Sequence, residues 1–317
     1  MRTVNLSAYI RSAATISPGR NEPDYRALFD PKVIRRMSRI IRIGAAAALT
    51  CIREAGIDRP DAIVTGTAYG CLEDTGLFLN SMIERNEEML QPASFIQSTH
   101  NTVGAQVALL LQCTGYNNTF VHRGFSFESA LLDALLLLAD GEAATVLAGG
   151  VDEITAASHA LLARFGLYRR TGAGEGAAFF LLSGRPSGDD LARLDGMATF
   201  YKPSTYEDVK RELLTFLENR GLEPGDIDHF ITGDNGDENS DRIYREIRGS
   251  LFPGKATITF KKGEYPTAAA DGMYLAASIV RTGFGRALLY NHYQGIYHSV
   301  YLLSPIGISQ SRSDYAG

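Results

Sequence analysis

Apolar residues along the chain fall into two spacings, short continuous runs and longer stretches at helical intervals, and their alternation predicts a mixed α/β protein. Residues 4–10 read as a strand, followed by a polar loop carrying Pro18, Gly19 and Pro23. Asp30-Pro31 opens a helix, the carboxylate as N-cap and the proline in the first turn, and the pattern carries this helix to Ala55 before Gly56 stops it. Short buried-type runs at 62–65, 118–122, 145–148 and 177–182 predict strands. Residues 73–90, 102–113 and 126–139 predict helices.

The stretch 183–190, with Gly184, Pro186 and Gly188, is the linker candidate, and the residues after it repeat the pattern of those before it. A helix ending at Gly56 and a strand running into Thr65-Gly66 have their counterparts in a helix ending at Gly221 and a strand running into Thr232-Gly233. The apolar helix and strand over 126–149 match a second such pair over 267–291. Two matches in the same order favour internal duplication, with halves at 1–186 and 187–305 and a tail at 306–317. Alternating strands and helices imply a mostly parallel sheet covered by helices. Two stacked copies make a layered α/β/α/β/α architecture.

Composition narrows the function classes. With 45% apolar and 21% charged residues, the chain has the balance of an ordered globular protein. A net charge of -5 speaks against nucleic acid as the partner, and suits an acidic carrier protein only through a local basic patch. Arg35, Arg36, Arg39 and Arg42, spaced along one predicted helix, are the candidates for that patch; a solvated face is the ordinary reading. Cys51, Cys71 and Cys113 form no disulfide framework or zinc spacing. The loop bearing Asp234, Asp237, Glu238 and Asp241 reads as solvated, with Asp241 capping the next helix, rather than as a metal site. No signal-peptide core opens the chain, and the longest apolar run, 130–139, is interrupted by Asp133 and too short for a membrane span, so the cytoplasm is expected.

Five stretches add more than pattern: residues 37–58, residues 92–104, Gly141-Glu142 with residues 148–153, Gly174-Glu175-Gly176-Ala177, and Lys261 with residues 268–272. In this order they resemble the β-ketoacyl synthases of fatty-acid and polyketide assembly over roughly residues 4–304. The resemblance implies the duplicated thiolase-like fold. The stretch between Glu153 and Gly174 is short for that family and implies a smaller lid over the acyl site.

Condensation in the family needs a cysteine thiolate at a helix N-terminus, two histidines and backbone donors for the oxyanion. The resemblance places Phe125 at the cysteine position and Gly233 at the first histidine. Pro266, five residues after the retained family Lys261, stands at the second. The glycine-rich C-terminal loop is altered too, residues 291–296 keeping one glycine. No catalytic residue of the set remains. Ser126 is the alternative nucleophile, its ordinary reading being a helix N-cap. His100, His122, His292 and His298 all lack the family position, and Cys71 is expected as a packed thiol.

Family members without the cysteine serve as chain-length factors, which dimerise with an active synthase and shape its acyl tunnel. The resemblance therefore implies an inactive subunit of a polyketide or aryl polyene-type pathway, paired as a heterodimer or with itself. The strand Asn117, Asn118, Thr119, Phe120, Val121, His122 and Arg123 would form the interface. Phe95, Ile96, Gln97, Ser98 and Thr99 are candidates to reach the partner's tunnel, with core packing as the alternative for Phe95 and Ile96. An acyltransferase using Ser126, or a non-catalytic homodimer binding an acyl group or carrier protein, are the other readings. No cofactor, metal, nucleic acid or membrane partner is implied.

Overall fold

The strands lie in an order that records the duplication. The computed structural model describes residues 6–19, 21–168, 172–260, 265–282 and 285–307. The first half runs β1 (Ala8–Ile16), α1 (Tyr25–Leu28), α2 (Pro31–Ile34), α3 (Arg39–Ala55), β2 (Ala62–Gly66), α4 (Leu72–Glu84), α5 (Pro92–Gln97) and α6 (Thr102–Leu111). It continues with β3 (Tyr116–Phe120), α7 (Ser126–Ala139), β4 (Thr145–Asp152), α8 (Ala156–Arg164) and β5 (Gly176–Ser183). The second comprises β6 (Ala192–Tyr201), α9 (Tyr206–Glu218), β7 (His229–Thr232), α10 (Glu238–Leu251), β8 (Ala256–Thr259), α11 (Ala269–Thr282), β9 (Ala287–Tyr293) and β10 (Tyr297–Ser304). In the ten-stranded sheet the first half reads β3-β2-β4-β5-β1 and the second, taken from its own edge, β8-β7-β9-β10-β6. Pairing each strand with the one five places later makes the two orders identical. The halves join where β1 meets β6 antiparallel, Ala8 opposite Leu194.

Side-chain alternation then separates the layers. Ile63, Leu147, Phe179 and Leu181 face outward onto α3 and α6. Their neighbours Val64, Val146, Ala148 and Phe180 face inward onto α7 and α11, which also cover Leu289 and Tyr301 of the second half. Leu288, Tyr290 and Leu302 turn the other way, onto α9 and α10. The result is the α/β/α/β/α arrangement of the thiolase-like fold, with α7 and α11 as its middle layer.

Several local expectations need correction. The sheet is mixed rather than mostly parallel: only the pairs around β2 and β7 are parallel. The β9–β10 connection is a tight turn, with Gln294 and Gly295 both at positive φ, and so short a link can join only antiparallel strands. The first strand runs from Ala8 to Ile16, because its polar residues find distant partners. Arg11 lies 3.3 Å from Asp190, and the buried Ser12 hydroxyl donates to the Cys51 carbonyl. The expected helix from Pro31 to Ala55 breaks into α2 and α3. Arg35 and Arg36 fall in the break, Arg39 pairs with Glu175, and Arg42 sits over the Tyr25 ring, so no arginine stripe forms. Asp237, not Asp241, caps α10; Asp241 instead accepts the N–H groups of Asn235 and Gly236. Among the described residues no helix is long and apolar enough to cross a membrane, and no His, Cys, Asp and Glu group is placed to hold a metal ion.

Candidate functional site

The site is built at the start of α7. Arg123–Phe125 form a 3-10 turn that feeds the helix, with Arg123 at φ 52°. Gly124 is obligatory there, since a Cβ would stand 2.3 Å from the Tyr293 ring. Ser126 is fully buried; its Oγ accepts the His122 N–H at 2.8 Å and donates to the Arg123 carbonyl at 2.7 Å. It therefore staples the turn from behind. It is neither the expected N-cap, a position held by Phe125 without a side-chain bond, nor a hydroxyl presented to solvent.

Phe125, the residue before α7, is 7% exposed. Its ring centroid is 5.4 Å from that of Tyr297 and 5.6 Å from that of His122, and Tyr297 stacks on to the exposed Tyr201 at 5.1 Å. A chain of aromatic rings thus runs from Phe125 to the surface. His122 is anchored in it, with Nδ1 3.1 Å from the Ser129 hydroxyl.

Gly233 follows β7, and its surroundings have closed over it. A Cβ there would lie 2.5 Å from Asn291 Oδ1, 2.8 Å from Tyr244 Oη and 3.2 Å from the Phe260 ring. These groups belong to a buried network: the Tyr244 hydroxyl donates to Asn291 Oδ1 (3.2 Å) and Asn291 Nδ2 donates to Glu128 Oε1 (3.2 Å). The Ser299 hydroxyl reaches the same carboxylate oxygen at 3.3 Å. Glu128 is fully buried on α7, so the network ties the middle layer to β9, β10 and α10. Sequence reading missed Glu128, although an acid in so apolar a helix was a visible signal.

His292 and His298 are held by buried contacts. His292 Nδ1 accepts the Gly295 N–H at 3.1 Å, which puts the proton on Nε2, 3.0 Å from the Ser240 carbonyl. His298 is fully buried against Phe200 and Tyr290, and burial lowers its pKa to about 4. His100 is exposed and lies against Gly70. Cys71 is buried, and desolvation pushes its thiol far above the ordinary range.

Pro266 lines a cavity of about 300 Å³ together with Gly124, Asn291, His292 and Tyr293, so Pro266, the neighbour of Phe125 and the β9–β10 turn converge on one cleft. Lys261 lies outside the described residues. Beside the cleft, at the end of β4, Asp152 is fully buried and accepts from the Thr67 hydroxyl and the N–H groups of Ala68 and Tyr69; burial raises its pKa to about 6. Glu153 accepts the Glu73 N–H, and burial, with Glu73, Asp74 and Glu175 nearby, raises it to about 7.

The other predicted residues gather on a different face. β3 is an edge of the sheet, and its outer side pairs with no other described strand. Phe95 (57% exposed) and Ile96 (65%) on α5 are not core residues, contrary to the alternative reading; the Phe95 ring leans on that of Phe78, centroid to centroid 5.4 Å. Leu77 and Ile83 on α4, Leu109 on α6 and Val121 after β3 are exposed as well. Gln97 donates to the Arg36 carbonyl, Ser98 to the Phe95 carbonyl, and Thr99 to Asn101, so the polar members of this segment hold its turns. Asn117 donates to the Gly104 carbonyl and Asn118 to the Tyr116 hydroxyl, while Thr119 and Phe120 are half-buried and Arg123 is exposed.

Residues 11–164 match the model of the β-ketoacyl synthase N-terminal domain. No curated protein sequence matches the chain. Among solved structures, the ishigamide ketosynthase/chain length factor superposes with a TM-score of 0.77 at 17% identity, over 95% of this chain and 100% of that one. A type II PKS acyl-carrier protein in complex with its ketosynthase, bound to the hexaketide, gives 0.76 at 13% identity over 96% and 100%. A β-ketoacyl synthase from Burkholderia phymatum gives 0.71 at 14% over 96% and 99%. At these identities the likeness establishes the fold.

Proposed function

We propose that this β-ketoacyl-synthase-like chain is a catalytically inactive, chain-length-factor-like subunit that pairs with an active ketosynthase in polyketide-type chain elongation. One observation carries the reading. Where condensation needs a thiolate at the start of α7, a phenyl ring is buried against Tyr297 and His122, and it has no atom that can hold an acyl group. The neighbouring Ser126 has both its donor and its acceptor engaged by the turn backbone, which speaks against the acyltransferase reading.

Pairing is supported by the unpaired β3 edge and the apolar side chains around it. An edge strand whose outer side pairs with no described strand, flanked by exposed Leu109 of α6 and Val121, is a surface that another chain can cover. A carrier protein would then deliver the growing chain to the partner's cysteine.

Co-expression with a ketosynthase, followed by size exclusion and a condensation assay with acyl-carrier substrates, tests this. A one-to-one complex that condenses only when both chains are present is expected. Intact-mass detection of an acyl group on this chain alone, or full activity of the synthase without it, overturns the proposal. A homodimer that ignores the synthase leaves inactivity standing and removes the heterodimer.

A further inference from the structure

The hairpin of α4 and α5 is scarcely covered by the rest of its own chain. We propose that it is an arm that grips the ketosynthase, its tip seating Met89 and Ile83 in an apolar socket rimmed by lysine or arginine. The inference rests on the pairing reading and adds a contact outside the β3 edge.

α4 buries one residue, Asp74, and α5 buries none. The two helices pack chiefly on each other, through Phe78 and Phe95, and the Thr75 hydroxyl donates to the Ser98 carbonyl at 3.0 Å. Among the described residues, six of the fourteen large apolar or aromatic side chains left exposed lie in this one stretch: Leu77, Leu79, Ile83, Met89, Phe95 and Ile96. Scattered singly, such residues need no partner; gathered on one hairpin they mark a surface that another molecule covers. Met89, at the tip, is 89% exposed and is held there. Asn86, Glu87 and Met89 take left-handed backbone conformations that favour glycine (φ 48°, 66° and 49°), and Arg85 clamps the turn by donating to the Met89 carbonyl at 3.0 Å.

Charge and chain path choose the occupant. Glu84, Glu87 and Glu88 are exposed beside Ile83 and Met89 in the chain, against the single arginine Arg85. This acidic collar repels anionic lipid headgroups and an acidic carrier protein, and it complements a rim of lysine or arginine. Methionine, unbranched and polarizable, suits an irregular apolar socket. One short turn, residues 98–101, joins α5 to α6, whose exposed Leu109 flanks the β3 edge, so the hairpin springs from the border of the proposed interface.

The test is calorimetric titration of the purified ketosynthase with the full chain. Met89→Ser combined with Ile83→Ser should weaken the complex about tenfold, and Glu87→Lys combined with Glu88→Lys should do the same. Raising the salt from about 50 to about 500 mM should weaken the wild type more than the lysine variant. Leu161→Ser, at an exposed apolar residue on α8, should change nothing, and thermal melts should be unmoved in every variant because the altered side chains are exposed. A wild type that forms no complex refutes the pairing reading and this contact with it. A complex indifferent to both double variants refutes this contact alone. Flotation with neutral phosphatidylcholine vesicles, or self-association, that is lost in the double serine variant assigns the tip to a membrane or to a second copy and overturns the proposal.

Discussion

Gly233→His is expected to damage the fold before any imidazole can act. The clash lies at Cβ, so Gly233→Ala already incurs most of it. The added carbon would stand 2.5 Å from Asn291 Oδ1 and 2.8 Å from Tyr244 Oη. Neither side chain can swing away without loss. Tyr244 is fully buried and donates to Asn291, and Asn291 in turn donates to the buried Glu128. Overpacking of this kind costs about 1–3 kcal/mol. A buried polar group left without its partner adds about 1–3 kcal/mol. The alanine variant should therefore lose about 3 kcal/mol, and the histidine variant more. Urea unfolding followed by circular dichroism measures the loss, with a fall in Tm of about 6–10 °C alongside it. Truncating the obstacle should relieve the clash: Gly233→Ala combined with Asn291→Ala is expected to lose less than the sum of the two single variants. An alanine variant within about 0.5 kcal/mol of wild type, additive with Asn291→Ala, would refute the tight closure over Gly233.

Burial holds His298 neutral down to about pH 4, so the unfolded chain takes up its proton first as pH falls below 6.5. Stability should be complete above pH 6.5 and drop by roughly 3 kcal/mol towards pH 4, a slope that His298→Gln removes in pH-dependent urea melts. Glu153 works in the opposite sense. With its pKa raised to about 7, its contribution is whole below the ordinary 4.5 and lost as pH rises through 7. Glu153→Gln should accordingly stabilise the protein by roughly 3 kcal/mol at pH 8 and leave it unchanged near pH 4.5; equal effects at both pH values count against the assignment. On the α5–α6 face, Ile96→Asp with Leu109→Asp should abolish association with a ketosynthase in size exclusion while leaving the melting curve in place, and retained association would move the interface elsewhere.

Elements whose signals are local could be read from the chain alone. The helix from Ser126 to Ala139 was legible end to end, because apolar residues fill it and a glycine turn comes after it. The strands β2 and β7, each running into Thr-Gly, were legible for the same reason, and with them came the duplication. The folded molecule decided whatever depends on distant partners. β8 carries few apolar residues and lies at an edge, and β10 mixes Tyr, His, Ser and Leu, so neither announces itself before β7 and β9 or β6 pair with it. Ser126 reads as a cap or a nucleophile until the turn from His122 to Phe125 closes on its hydroxyl. The Glu128 carboxylate meets Asn291 across 163 residues of chain and Ser299 across 171, contacts that exist only once the two halves stack. Periodicity and capping are short-range preferences carried by neighbouring residues. Whether a position is sealed by a network, as at Gly233, or opens on a cleft, as at Pro266, is settled by which side chains the rest of the molecule brings to it.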